Sequence, residues 1–149
     1  VNDNPQLGIS EFSTEKIPWR IIIDPQGKVK SNSQVFRDER FIYFSFKKRS
    51  VKTQLLNPEK TLQFMLTTLF EMNVQSIMVE GGAFTLSQFI KENLWDEALL
   101  ISGSKNLVSG LKSPILKGEI REDFKLKADH IQRIFALWFG YFLASAVRY

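Results

Sequence analysis

The residues of this chain best suited to chemistry gather around a short acidic and glycine-rich sequence, Glu80-Gly81-Gly82. The apolar run Ser76–Val79 precedes it and predicts a buried strand, because a short apolar run that ends in a turn signal favours a strand over a helix. Apolar residues at roughly helical spacing follow and predict a helix over Ala83–Glu92. The glycines therefore lie at a predicted helix N-terminus, where free N–H groups and the helix dipole favour an anion such as a phosphate.

Glu80 strengthens the prediction of a ligand site at this turn. An acid at the C-terminal end of a parallel strand lies in the crevice where open α/β sheets bind ligands. Two plainer interpretations remain open: Glu80 is a carboxylate exposed on a loop, and Gly81-Gly82 ends a strand for steric reasons alone.

Other polar groups give weaker signals. Asp3-Asn4-Pro5 predicts a turn whose side chains bond nearby backbone. The loop Ser102–Lys105 either touches a ligand or only reverses the chain. The single histidine, His130, has no evident acid partner in the sequence and is interpreted as a surface or core-edge residue. With one histidine and no cysteine, the sequence supports neither a nucleophilic triad nor a zinc site, and no metal is expected.

Composition limits the class of protein further. The 149 residues suit a single domain with a hydrophobic core, and the polar N-terminus has no apolar signal-peptide segment. The net charge of +4 is spread along the chain, so neither nucleic acid nor a membrane is the expected partner. The densest basic cluster, Lys47-Lys48-Arg49 with Lys52, is interpreted as a solvated loop or as weak steering toward phosphorylated small molecules.

The surrounding pattern predicts an α/β fold. Trp19–Asp24 and Phe41–Phe46 are predicted strands, and Trp95–Ile101 is a third. Asn57 is a predicted helix N-cap with Pro58 at the first helical position. The helix that follows carries an apolar stripe of Leu62, Met65, Leu66, Leu69 and Phe70. Strands that alternate with helices indicate βαβ crossovers and a mainly parallel sheet.

The C-terminal residues follow a different pattern. Phe124–Lys127 alternates as an antiparallel edge strand does. Ile134–Val147 is almost continuously apolar and too short for a helix that spans a bilayer. Three interpretations stay open for it: a buried closing strand or helix, a membrane-surface or subunit contact, and a tail that is not the natural end of the domain.

Taken in order, the motifs resemble the reductase half of the bifunctional riboflavin-biosynthesis deaminase/reductase, a relative of dihydrofolate reductase. The resemblance covers roughly residues 1 to 118. The matching segments are Asp3–Leu7 (DNPQL), Pro18–Val29 (PWRIIIDPQGKV), Val79–Ile90 (VEGGAFTLSQFI), Leu94–Lys105 (LWDEALLISGSK) and Gly110–Leu116 (GLKSPIL).

This resemblance implies a three-layer α/β/α domain with a mixed, mostly parallel sheet. It also implies NADPH as cofactor and reduction of 5-amino-6-(5-phosphoribosylamino)uracil to its ribitylamino product. A homodimer in the cytoplasm is expected. By the same resemblance, Asp3 contacts the cofactor, while Leu7 and Glu80 contact the substrate. The expected cofactor-phosphate segment comprises Gly81, Gly82, Ala83, Phe84, Thr85 and Leu86.

Three departures from the family pattern qualify the implied activity. Ser10 stands where the family usually has an arginine that can bind the substrate phosphate. The chain begins at Val1, so we expect it to lack the first strand and the deaminase domain. Residues 121–149 differ from the usual closing strands. The alternative is therefore a catalytically silent domain of the same fold that acts as a dimerisation or structural module.

Overall fold

The structure, a computed structural model, describes residues 4–5, 7, 17–50, 52–56, 61–105 and 108–137. The chain divides into two compact units, Val1–Gln75 and Ser76–Tyr149. Among the described residues, no helix is long and apolar enough to cross a membrane.

A parallel three-stranded sheet forms the centre of the first unit. Its strands are β1 (Arg20–Ile23), β2 (Phe41–Ser45) and β3 (Thr53–Leu55), in the spatial order β1-β2-β3. A 3-10 helix, Gln34–Phe36, lies in the connection between β1 and β2, and helix α1 spans Thr61–Glu71. The predicted strands at Trp19–Asp24 and Phe41–Phe46 are confirmed. Asn57 and Pro58 fall outside the described residues.

The core of the first unit explains why these segments pair. β2 is buried along almost its whole length, as expected for a central strand covered on both faces. Val35 of the 3-10 helix packs with Ile22 and Tyr43, and the Phe36 ring meets the Tyr43 ring edge-on at 5.4 Å between centroids. The 3-10 helix is therefore fixed to the sheet by its own apolar side chains.

Helix α1 follows the predicted apolar stripe only in part. Met65 and Leu69, four residues apart, are buried, whereas Phe70 is 49% exposed. Leu62 and Leu66 are half-buried. The stripe is therefore narrower than the sequence pattern predicts, and it centres on the i, i+4 pair.

An antiparallel three-stranded sheet and one helix form the second unit. Helix α2 spans Ala83–Lys91, and the strands are β4 (Glu97–Ser102), β5 (Gly118–Leu126) and β6 (Asp129–Ala136). The spatial order is β4-β6-β5, so β6 is the central strand. The helix predicted over Ala83–Glu92 is confirmed, and the predicted antiparallel edge strand at Phe124–Lys127 is confirmed as the end of β5.

The α/β class with parallel and antiparallel strands is confirmed, but two local predictions are wrong. Ser76–Val79 is not a strand in the described structure, and Met78 within it is 85% exposed. The predicted strand at Trp95–Ile101 exists as β4, yet it pairs antiparallel with β6 instead of joining a parallel βαβ unit. The second error arises because an apolar run does not specify the strand that supplies its hydrogen bonds.

The apolar C-terminal segment lies only partly within the described structure. Ile134 and Ala136 are buried at the end of β6, which agrees with a closing strand at that point. Residues from 138 onward lie outside the described part of the chain. The interpretation of Ile134–Val147 as a whole therefore stays a prediction.

Candidate functional site

Helix α2 begins without a side-chain cap. Gly82 is the N-cap residue, with φ −64° and ψ 171°, and it has no side-chain hydrogen bond to offer the helix. Its carbonyl accepts a hydrogen bond from the Leu86 amide at 3.1 Å, so the helical ladder starts there. The first turn holds no acidic residue. The N–H groups of this turn can therefore bind an anion without competition from a carboxylate of their own turn.

The two glycines at this helix start have different surroundings. A Cβ atom added to Gly81 would lie 2.6 Å from Cβ of Thr85, so Gly81 allows the backbone to pass directly against that side chain. A Cβ atom added to Gly82 would meet nothing within 4 Å. Gly81 is thus required for packing, whereas the space beside Gly82 is open and can admit a ligand group close to the backbone.

Two side chains next to the glycines are exposed. Glu80 is exposed and forms no hydrogen bond with any described residue, which leaves its carboxylate available to a ligand. Phe84 is 78% exposed, while Phe89 on the same helix is 3% exposed. Phe84 and Phe89 therefore lie on different faces of α2. Five residues at about 100° each place the two rings roughly 140° apart around the helix.

The segment predicted to hold Asp3 and Leu7 lies in the first unit. Asn4 and Leu7 both have left-handed backbone conformations, with φ of 42° and 50°. The amide of Gln34 donates a hydrogen bond to Oδ1 of Asn4 at 3.0 Å. Leu7 is 45% exposed. Asn4 thus does bond backbone, as predicted, but the backbone lies thirty residues away, and Asp3 is outside the described residues.

Asp24 closes β1 with a buried carboxylate. It accepts hydrogen bonds from the amides of Lys28 at 2.9 Å and Val29 at 2.8 Å, and from the Tyr43 hydroxyl at 2.8 Å. Burial by itself would raise the pKa of Asp24. The hydrogen bonds from Val29, Lys28 and Tyr43, together with the positive charge of Arg49, outweigh burial and hold that pKa below its ordinary value.

Arg49 departs from the interpretation of the basic cluster as a solvated loop, whereas Lys47, Lys48 and Lys52 are exposed as that interpretation expects. Its guanidinium donates to the carbonyl oxygens of Gly27, at 3.2 Å, and of Val29, and it lies 3.9 Å from Asp24 Oδ2. Its side chain is only 20% exposed. Arg49 therefore fastens the turn after β1 and is not free to steer a ligand.

His130 has an acid partner that the sequence did not reveal. Its Nε2 lies 2.6 Å from Oδ1 of Asp123, and Gln132 donates to the other carboxylate oxygen at 2.8 Å. The hydrogen bonds from Gln132 and His130 hold the pKa of Asp123 below its usual range. All three side chains lie on the exposed surface of the β5–β6 hairpin, in agreement with a surface histidine.

The predicted site residues fall into two groups. Gly81, Gly82 and the first turn of α2 lie together in the second unit, with Glu80 directly before them. Leu7 belongs to the first unit. The partner of Asn4 could not be predicted, because that hydrogen bond joins two segments distant in the chain. The sequence Asp24-Pro25-Gln26-Gly27 is typical of a turn, whereas the contacts of Asp24 with Tyr43 and Arg49 depend on the tertiary fold.

Comparison with known proteins agrees with this fold. The parallel sheet, the antiparallel sheet and the glycine-led helix define an α/β domain, and its fold is similar to that of solved RibD structures. The family model for the RibD C-terminal domain matches residues 1–136, and the chain belongs to this family. The family match extends past the residues, 1 to 118, that carried the resemblance in sequence.

A relative and two solved structures are similar over most of the chain. The riboflavin biosynthesis protein RibD of Aquifex aeolicus strain VF5 is 30% identical over an alignment 146 residues long, and the match covers 90% of this chain and 41% of that protein. Acinetobacter baumannii RibD, form 2, has a TM-score of 0.77 at 19% identity and covers 90% of this chain and 43% of its own.

The second structure comes from Thermotoga maritima. It is described as a diaminohydroxyphosphoribosylaminopyrimidine deaminase/5-amino-6-(5-phosphoribosylamino)uracil reductase. Its TM-score is 0.77 at 21% identity, and the match covers 91% of this chain and 42% of that one. The chain thus spans less than half the length of the relatives it matches.

Proposed function

We propose that this chain is an NADPH-dependent reductase domain that converts 5-amino-6-(5-phosphoribosylamino)uracil to the ribitylamino product of riboflavin biosynthesis. Membership of the RibD C-terminal domain family supports the class of reaction. The single observation that carries the cofactor assignment is the open space beside Gly82 at the uncapped start of α2. A phosphate there would receive N–H donors and the positive end of the helix dipole.

The residues around α2 fit the phosphates of a dinucleotide. Gly82 leaves room for a group to approach the backbone, and Gly81 lets the chain pass Thr85 before the helix begins. The first turn of α2 holds no acidic side chain, so no negative charge in that turn would repel the phosphates. We assign the binding of the cofactor phosphates to the six residues from Gly81 to Leu86, while Asp3 stays a predicted cofactor contact outside the described residues.

The substrate side of the proposal depends on Leu7 and Glu80. A bound cofactor would supply a hydride to C1 of the ribosyl group, while the bond from C1 to the ring oxygen breaks and that oxygen takes up a proton. The protein has to hold that carbon in reacting geometry and exclude water. Leu7, with its half-exposed apolar side chain, is suited to packing against the pyrimidine ring. The free Glu80 carboxylate is suited to accepting hydrogen bonds from substrate amino groups or favouring a cationic, iminium-like form.

A catalytically silent domain of the same fold is the second candidate. The observation in its favour is Ser10, which replaces the arginine expected to bind the substrate phosphate. Removing a bidentate partner weakens phosphate binding substantially. Such a domain would serve as a dimerisation or structural module. The homodimer and the cytoplasmic location remain predictions that rest on the family resemblance.

Titration with NADPH, followed by nicotinamide fluorescence, tests the cofactor assignment. We expect saturable binding, and no saturable binding would defeat the assignment. Turnover of the pyrimidine substrate then separates the two candidates, because binding without turnover supports the silent domain.

The variant Glu80→Gln tests the substrate role with little change in side-chain shape. We expect a loss of turnover with unchanged NADPH affinity, because the substitution removes the negative charge from the substrate side only. Glu92→Gln is the matched control, since Glu92 is an exposed acid at the opposite end of α2. Equal turnover in Glu80→Gln and the parent chain would remove Glu80 from the site.

A further inference from the structure

The 3-10 helix between β1 and β2 lacks a cap from its own N-cap residue. Ser33 occupies the N-cap position with φ −67° and ψ 146°, but its side chain makes no capping hydrogen bond. The first helical amide, that of Gln34, donates instead to Oδ1 of Asn4 at 3.0 Å. Asn4 thus supplies from a distant part of the chain the acceptor that an N-cap side chain ordinarily provides.

The residues on the acceptor side of this hydrogen bond have unusual backbone conformations. Asn4 has φ 42° directly before Pro5, where steric contact with the proline ring favours extended conformations. Leu7, with φ 50°, is a second non-glycine residue in the left-handed region. Such conformations persist where the surrounding structure enforces them, and they concentrate at functional sites.

The 3-10 helix that carries the Gln34 amide is held by the core and can enforce the conformation of Asn4. Val35, next to Gln34, is 6% exposed and packs against Ile22 and Tyr43 in the core. The amide that binds Asn4 therefore belongs to an element that the core holds in place. The Asn4–Gln34 hydrogen bond thus connects Asn4 to an element that is packed on this core.

We propose that Asn4 is a positioning residue that is anchored on the 3-10 helix through the Gln34 amide. In this role it presents Leu7 to the substrate and the preceding Asp3 to the cofactor without contacting either ligand. The inference rests on the proposed function for its ligands, whereas the anchoring itself rests on the hydrogen bond and the backbone conformations. The Asn4 side chain then affects the affinity for substrate and cofactor but not the rate of the chemical step.

Three substitutions at position 4 separate the hydrogen bond from the backbone conformation. Asn4→Asp keeps an acceptor oxygen and tolerates the left-handed conformation. Asn4→Gly keeps that conformation and loses the acceptor. Asn4→Ala loses both. We expect Asn4→Gly to raise the substrate KM and the NADPH Kd by about 2- to 10-fold, the range for one lost hydrogen bond. Asn4→Asp should restore values within about twofold of the parent, at unchanged kcat and Tm.

The donor can be removed independently. Gln34→Pro deletes the amide N–H at the first helical position, where proline is well tolerated, and the extended Ser33 is compatible with a following proline. If the bond carries the effect, Gln34→Pro should raise KM as Asn4→Gly does. The double variant should then be no worse than either single one. Additive effects, or a Gly variant equal to the parent, would overturn the inference.

Amide hydrogen exchange distinguishes this inference from the proposed function. In the parent and in Asn4→Asp, the Gln34 amide should exchange several-fold more slowly than in Asn4→Gly. Equal exchange in all three proteins would overturn the anchoring, whatever the chain binds. Slower exchange in the parent together with no NADPH binding would leave the anchoring standing and defeat the proposed function.

Discussion

At Asp24, burial and hydrogen bonding act on one carboxylate in opposite directions. Burial disfavours the charge, while two backbone amides and the Tyr43 hydroxyl stabilise it, and the pKa falls below its ordinary value. The same side chain ends β1 and shapes the turn that Arg49 closes from the other side. Asp24 and Arg49 thus determine the backbone conformation of the turn after β1.

The variant Asp24→Asn measures this contribution. Its amide NH2 would face one of the backbone N–H donors, so we expect a loss of about 1–3 kcal/mol in the free energy of unfolding at pH 7. The lowered pKa fixes the pH dependence. The carboxylate stabilises the fold above its unfolded pKa of about 3.9, and this advantage is lost as the pH falls through the folded value.

Urea unfolding of the parent and the variant between pH 7 and pH 3 checks both parts of this prediction. Tyr43→Phe is the control, since it removes one hydrogen bond and keeps the carboxylate. A stability difference that stays constant down to pH 3 would contradict the role given to the charge.

The glycine pair gives a second prediction at the residue scale. Gly81→Ala should lower the free energy of unfolding by about 1–3 kcal/mol, because its Cβ collides with Thr85. Gly82→Ala should cost less than about 1 kcal/mol, since its Cβ enters open space. It should still weaken NADPH binding about tenfold or more, because that space is where we place the phosphate. Thermal unfolding and NADPH titration of the two variants measure the two effects separately, and unaltered affinity in Gly82→Ala would place the phosphate elsewhere.

Elements of secondary structure differ in how fully the sequence specifies them. Helix α2 was predictable, because its start is marked by glycines and its apolar spacing is local. The direction of β4 was not, because its residues pair with residues of β6 that lie 28 to 38 positions further along the chain. The exposure of Phe84 agrees with its position around the helix, about 140° from the buried Phe89.

The two aromatic rings of α2 offer a test at the element scale. Phe89→Ala should lower the free energy of unfolding by about 3–5 kcal/mol, because its ring is buried. Phe84→Ala should change it by less than about 0.5 kcal/mol, since its ring is exposed. Chemical denaturation of both variants gives the comparison. Similar losses in the two would mean that Phe84 packs against the protein.

At the scale of the whole molecule, the family of the chain is confirmed and its reductase activity is our proposal. The ordered motifs predicted the RibD-type reductase domain, and the family match confirms it. The sequence could not specify the anchoring of Asn4 or the burial of Arg49, because each depends on contacts between distant segments. Local patterns in the sequence therefore located the candidate cofactor turn at Gly81-Gly82. Tertiary contacts determine how Asn4, in the predicted ligand-binding segment of the first unit, is held.

Deuteride transfer tests the central proposal most directly. The chain is incubated with 5-amino-6-(5-phosphoribosylamino)uracil and NADPH that carries deuterium at the transferable C4 position, and the product is analysed by mass spectrometry. We predict a ribitylamino product that is one mass unit heavier than the product made with unlabelled NADPH, with the deuterium at C1 of the ribityl chain. A chain that binds NADPH and forms no labelled product would contradict the reductase assignment.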